Sequence, residues 1–139
     1  MFSLGLMRAS FGLSLLFLPL VSACAHFEAR DYRVPHASHA DARKVTAVLH
    51  RVAAETGLQK RAPTPYDSPV IALYKDHDVD LRAGIERGDV RIHVMRYTWP
   101  PPKAFTRADQ LVRADLSREF GTRFVVDPPP QITRTIRVE

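Results

Sequence analysis

Asp76-His77-Asp78-Val79-Asp80 places three carboxylates and an imidazole within five residues. Such oxygen-rich sets can hold a hard cation such as calcium. The glycine and distal glutamate that shape a calcium loop are missing from this run. Aspartate is also favoured wherever a chain turns, so a solvated turn is the expected reading and no metal is assigned. His36 and His39 lie three apart and could share a metal on a helix, but Pro35 precedes them and the sequence supplies no third ligand nearby. Arg87-Gly88-Asp89 matches an adhesion tripeptide in letters, and a hairpin turn accounts for its glycine and aspartate. The chain contains no Gly-x-Ser-x-Gly elbow, no phosphate loop and no His-Glu-x-x-His pair. No catalytic residue and no cofactor is therefore assigned.

Cys24 is the sole cysteine. One thiol cannot close an internal disulfide or build a cysteine-based zinc site. Its neighbourhood is more informative than its number. Arg8 is the one charged residue among the first 25, followed by an apolar run of 13 residues from Ala9 to Val21 and then Ser22-Ala23-Cys24-Ala25. A basic start, a short apolar stretch and small residues at its end describe a secretory signal peptide. The run falls short of the roughly 20 residues that span a bilayer. Counted on to Ala25 it reaches 17, so an uncleaved anchor is the competing reading. Pro19 and the abrupt change to His26, Glu28, Arg30 and Asp31 favour cleavage.

Val21-Ser22-Ala23-Cys24 resembles the lipobox of bacterial lipoproteins, an aliphatic residue and two small ones before an obligatory cysteine. Val21 stands where leucine is commoner. The resemblance covers about the first 25 residues and implies cleavage between Ala23 and Cys24, a diacylated Cys24 thiol, and acylation of the new amino group. Two or three chains anchor stably where one holds only reversibly, at about 0.8 kcal/mol per buried methylene. Ala25, rather than Asp, after the cysteine implies sorting to the outer membrane. An ordinary cleaved signal peptide ending by chance in cysteine is the alternative. The expected division is a signal peptide over 1–23, a tether over 24–37 and one domain over 38–139.

Residues 24–139 would number 116 and carry a net charge of +4, against +5 for the whole chain. Arginine outnumbers lysine 16 to 4, which favours bidentate contacts to phosphate or carboxylate. A chain that is 45% hydrophobic and 25% charged is too apolar for a disordered tail. With export, no nucleic-acid partner is expected.

Periodicity supplies the elements. Val45, Val48, Leu49, Val52 and Ala53 recur at helical spacing, so a helix is expected over 40–56, with Ser38 and Asp41 as a capping box and Gly57 as its stop. His50 falls off that stripe and reads as solvated. Residues 59–68 read as a loop because Pro63 and Pro65 bar regular pairing. Val70–Tyr74 suits a central strand, and 80–86 with 89–98 a hairpin turning at Glu86–Asp89. A change of apolar phase near Val94-Met95 suggests a bulge. Thr106 is expected to begin a second helix with Asp109 at its capping position, the stripe running through Ala108, Leu111, Val112, Leu116 and Phe120 to a stop at Gly121. Asp109 and Arg113 are spaced as a helical ion pair. Short strands follow at 124–126 and 131–138. The order α-β-β-β-α-β-β argues an α+β fold, an antiparallel sheet of four to five strands with both helices on one face.

If Leu81, Ala83, Ile85, Val90, Ile92 and Val94 face the helices, Arg82, Arg91 and His93 share the other sheet face, joined by Arg137. That would be a basic surface able to receive phosphate or carboxylate. An ordinary polar outer face is the competing account. The expected function is a non-enzymatic binding or structural module in the bacterial cell envelope, lipid-anchored by Cys24 with its domain in the periplasm. Its partners would be the membrane, through the acyl chains, and an envelope protein, peptidoglycan or anionic lipid. A small periplasmic enzyme or enzyme inhibitor on the same anchor is the alternative.

Overall fold

The computed structural model describes residues 28–64 and 69–128. The signal peptide, the Ala23/Cys24 cleavage and lipidation site, the strand expected at 131–138 and Arg137 lie outside these residues. The elements run β1 (Glu28–Val34), α1 (His39–Thr56), β2 (Gln59–Lys60), β3 (Val70–Lys75), β4 (Val79–Glu86), β5 (Asp89–Arg96), α2 (Lys103–Phe120), a 3-10 turn (Gly121–Arg123) and β6 (Val125–Asp127). All strand pairs are antiparallel, and the sheet order is β2-β3-β4-β5-β1-β6. The α+β class with an antiparallel sheet is as expected, with six strands rather than four to five.

Both helices lie on one face, and the core forms between. Val45, Val48, Leu49 and Val52 of α1 and Phe105, Ala108, Val112 and Leu116 of α2 pack with Tyr32, Val34, Leu81, Ala83, Val90, Ile92 and Val94 from the sheet. Burying a valine, leucine, isoleucine or phenylalanine of this set contributes about 1.5–3 kcal/mol relative to exposure. Local chemistry sets the ends of α1. Ser38 Oγ accepts from the Asp41 N–H at 3.1 Å, and Asp41 Oδ2 accepts from the Ser38 N–H at 2.9 Å. At the other end Gly57 adopts φ 75°, the left-handed conformation that releases the chain.

Four expectations need correction. Residues 28–34, assigned to the tether, form β1, held between β5 and β6. Only Tyr32 and Val34 point into the core there, while Asp31 and Arg33 face away and Arg30 is exposed. Too few apolar residues repeat to mark a strand in the sequence. Residues 59–60, read as loop, make the edge strand β2. α2 starts at Lys103, three residues before Thr106, with Pro102 as its cap and no side-chain cap bond. The Pro102 carbonyl takes the Phe105 N–H instead, at 3.0 Å.

The bulge expected at Val94-Met95 is absent, since β4 and β5 stay in register from Val79↔Arg96 to Glu86↔Asp89. The sequence there changes phase because Arg96, 5% exposed, takes an inward position that an apolar residue would ordinarily hold. Its charge is met by Glu28 and by the Thr98 carbonyl. The register shift falls instead between Val70 and Ala72 of β3, opposite Gly84. A Cβ at Gly84 would stand 3.0 Å from the Pro69 carbonyl oxygen, which accepts the Ile85 N–H.

Candidate binding surfaces

Strand alternation divides the charged residues between two faces. On the face away from the helices, Arg82 and His93 stand directly opposite one another on β4 and β5. Arg91 stands opposite Arg33 of β1, and His93 opposite Asp31. The structure thus gathers Arg82, Arg91 and His93 on one face. It also sets carboxylates beside each of them. His93 Nδ1 lies 2.6 Å from Asp31 Oδ1. Arg82 Nη2 lies 2.5 Å from Asp80 Oδ2, and Arg91 Nε lies 3.0 Å from Glu86 Oε2.

Arg33 and Arg91 are like charges on opposed strand positions, an arrangement that destabilises a sheet unless something intervenes. Asp127 of β6 intervenes. Its Oδ1 accepts from Arg33 Nε at 3.3 Å, and its Oδ2 lies 4.0 Å from Arg91 Nη1. Asp89 adds a second contact to Arg33 at 3.4 Å and accepts the His36 N–H at 3.0 Å. That N–H, with Arg33 behind it, holds the Asp89 carboxyl below its ordinary range, while Asp127 raises the Arg33 guanidinium further. The face therefore carries no excess of positive charge among the described residues, against the expected basic surface. Asp31, Arg33 and Asp127 carry no local signal in the sequence, because β1 lacks a repeating apolar pattern and its pairing partners are distant in the chain.

The acidic run at 76–80 is divided by the turn it makes. Asp76 Oδ1 accepts the N–H groups of Asp78 and Val79 at 2.8 and 2.7 Å, the aspartate turn expected there. Asp80, 1% exposed, points onto the sheet face toward Arg82 and the Tyr97 hydroxyl. Among the described residues no three His, Cys, Asp or Glu side chains converge as metal ligands. Arg87 and Gly88 both hold positive φ, 54° and 84°, in a two-residue hairpin turn, and Asp89 is turned to Arg33 and the His36 N–H on the outer face. His36 itself has φ 49°, so it lies in a turn, and His39 begins α1.

On the helix side, Tyr32 is 1% exposed and donates its hydroxyl to Asp109 of α2. Arg113 lies 5.9 Å from the Tyr32 ring centre. Burial, then the Asp109 carboxylate, push the phenol up to about 12. The earlier start of α2 makes this possible. Asp109 sits within the helix and turns to Tyr32 rather than capping.

Two further surfaces stand out. A groove of about 730 Å³ runs between α1 and the β3 edge, with Ala42, Ala47, Ile71, Tyr74 and Ile85 on its walls. His50, expected to be simply solvated, brings Nδ1 to 3.4 Å from the Tyr74 hydroxyl at this groove. The second surface is the corner after β5, where Tyr97 is 43% and Trp99 65% exposed. Arg96 stacks 5.2 Å from the Trp99 ring centre and 5.7 Å from that of Phe105. No helix among the described residues is long and apolar enough to cross a membrane. No protein-family model matches this chain, and a search of curated proteins finds no relative.

Proposed function

We propose that this chain is a lipid-anchored cell-envelope lipoprotein whose domain is a non-enzymatic binding or structural module facing the periplasm. The observation that carries the reading is Val21-Ser22-Ala23-Cys24 behind a short apolar run and directly before a folded domain. Outer-membrane sorting follows from Ala25. Two features of the domain support a module that binds rather than reacts. The charged side chains of the sheet face are paired with one another. The groove between α1 and β3 offers apolar side chains of the kind that protein partners cover.

Mass measurement on the chain recovered from its own membranes tests the anchor. The expected product begins at Cys24, carries acyl mass and leaves the membrane only with detergent. A Cys24→Ala variant that keeps the parent's cleavage position and its membrane fractionation overturns the proposal. Pull-down with the intact lipidated protein, followed by mass identification, addresses the partner. Recovery of a chemically altered small molecule rather than a bound component would point to the enzymatic alternative.

A further inference from the structure

The tether is far shorter than the sequence suggested, which limits how the domain can sit on a bilayer. Ala25, His26 and Phe27 alone separate Cys24 from Glu28, the first residue of β1. At full extension the Glu28 Cα then lies within about 14 Å of the Cys24 Cα. Glu28 is fixed in turn to the end of β5. It pairs with Arg96 in register, and its carboxylate lies 2.6 Å from Arg96 Nε and 2.5 Å from Nη2. Arg96 stacks on Trp99. An acyl group on Cys24 is therefore linked to Trp99 through a short chain, one ion pair and one stacking contact.

We propose that the Tyr97–Pro102 corner is the membrane-facing end of the domain, with the Tyr97 and Trp99 rings seated in the headgroup layer of the bilayer that holds the Cys24 acyl chains. The inference rests on the lipid anchor proposed above and adds the orientation and the contact residues. The rings flank the end of the sheet from both sides. Tyr97 leans over the charged face, its hydroxyl 3.3 Å from Asp80 Oδ2, while Trp99 stacks on the helix side against Arg96. Tryptophan and tyrosine favour this layer because their rings are apolar and their N–H or O–H stays wet. The depth reached by such contacts is about 5–10 Å, within what the short link allows. Charge does not drive the docking. Lys75 and Lys103 stand at this end, but so do Asp76 and Asp78, so the contact should form on zwitterionic lipid and persist in salt.

Trp99 is the sole tryptophan, so its fluorescence reports this corner alone. The test uses the full lipidated protein reconstituted into phosphatidylcholine vesicles, with and without bromine on the upper acyl chain, and intact mass confirms Cys24 acylation in the same sample. The expected results are a blue-shifted emission, loss of most of it in brominated lipid, and weak quenching by aqueous iodide at low and high salt alike. A double variant, Trp99→Phe with Ile85→Trp, moves the fluorophore to the far end of β4, about 20 Å along the strand. There iodide should quench and brominated lipid should not. Acylated protein whose Trp99 is quenched by iodide and untouched by brominated lipid overturns the docking and leaves the anchor standing. Equal lipid quenching at both positions overturns the orientation. An unacylated Cys24 overturns both proposals.

Discussion

Asp41 Oδ2 accepts from Arg123 Nη2 at 2.9 Å and from the Ser38 backbone N–H at 2.9 Å, so one carboxylate caps α1 and ties down the turn that follows α2. The Arg123 guanidinium first, and the Ser38 N–H second, hold the Asp41 carboxyl well below the usual carboxylate range. A depressed carboxyl stabilises the fold above its ordinary pKa, and that stability is lost as pH falls through the depressed value. Arg123→Gln should raise the Asp41 pKa toward its ordinary value and start acid unfolding at a higher pH. Carboxyl titration by NMR checks it. Arg123 is 53% exposed at its side chain, so the loss at neutral pH should stay within about 1 kcal/mol.

The same cap makes a second, purely local prediction. Ser38→Ala removes the acceptor for the Asp41 N–H and should cost about 1 kcal/mol, read as a lower urea midpoint with an unchanged slope. Ser38→Asp keeps an acceptor in place and should recover most of that loss.

Tyr32 predicts an alkaline limit. Its phenol moves from an ordinary 10.0 to about 12, so the fold favours the protonated form. That contribution is whole below the ordinary value and drains away as pH rises through the interval between the two. Tyr32→Phe should lower stability near neutrality and flatten the alkaline decline. Tyr74, raised by its burial, and Tyr97, raised by burial and by Asp80, should leave a residual slope. Thermal melts across the alkaline range test this.

Gly84 and Leu116 define two kinds of packing cost. Gly84→Ala drives a Cβ against the Pro69 carbonyl oxygen, which is fixed by the Ile85 N–H, so overpacking should cost about 1–3 kcal/mol. Leu116→Ala empties a fully buried site between α2 and the sheet and should cost about 2–5 kcal/mol. Chemical denaturation of each variant measures both.

Asp127 separates two opposed arginines, and its removal should leave the charges of Arg33 and Arg91 less fully met. Asp127→Asn should destabilise modestly, by about 1 kcal/mol or less, with the loss shrinking in salt. The variant should also gain retention on anionic vesicles relative to the parent. Reversing Arg82 and Arg91 to glutamate in the variant should abolish that gain. Equal retention by parent and Asp127→Asn would show that this carboxylate does not mask the arginines.

The elements that were legible in the chain are those whose signals are local. Ser38, Asp41 and Gly57 bracket α1 because caps act within one turn, and Val90, Ile92 and Val94 mark β5 because a strand facing a core alternates with period two. Where a residue's role depends on a distant partner, the pattern misleads. Arg96 interrupts the alternation of β5, although its inward position is neutralised by Glu28, 68 positions away in the chain. Asp109 looks like a cap because it sits three residues after Thr106, yet it serves Tyr32, 77 positions away.

The candidate surface divides in the same way. Sequence alone determined that Arg82, Arg91 and His93 share a face, since side-chain alternation along paired strands needs no tertiary information. It also determined the short apolar run and the cysteine that follows it. Only the tertiary structure decided that β1 lies between β5 and β6, because strand pairing is a choice among distant segments made by burying Tyr32 and Val34 with the helices. That single insertion brings Asp31 to His93 and Arg33 and Asp127 to Arg91, and it shortens the link from Cys24 to the sheet to three residues.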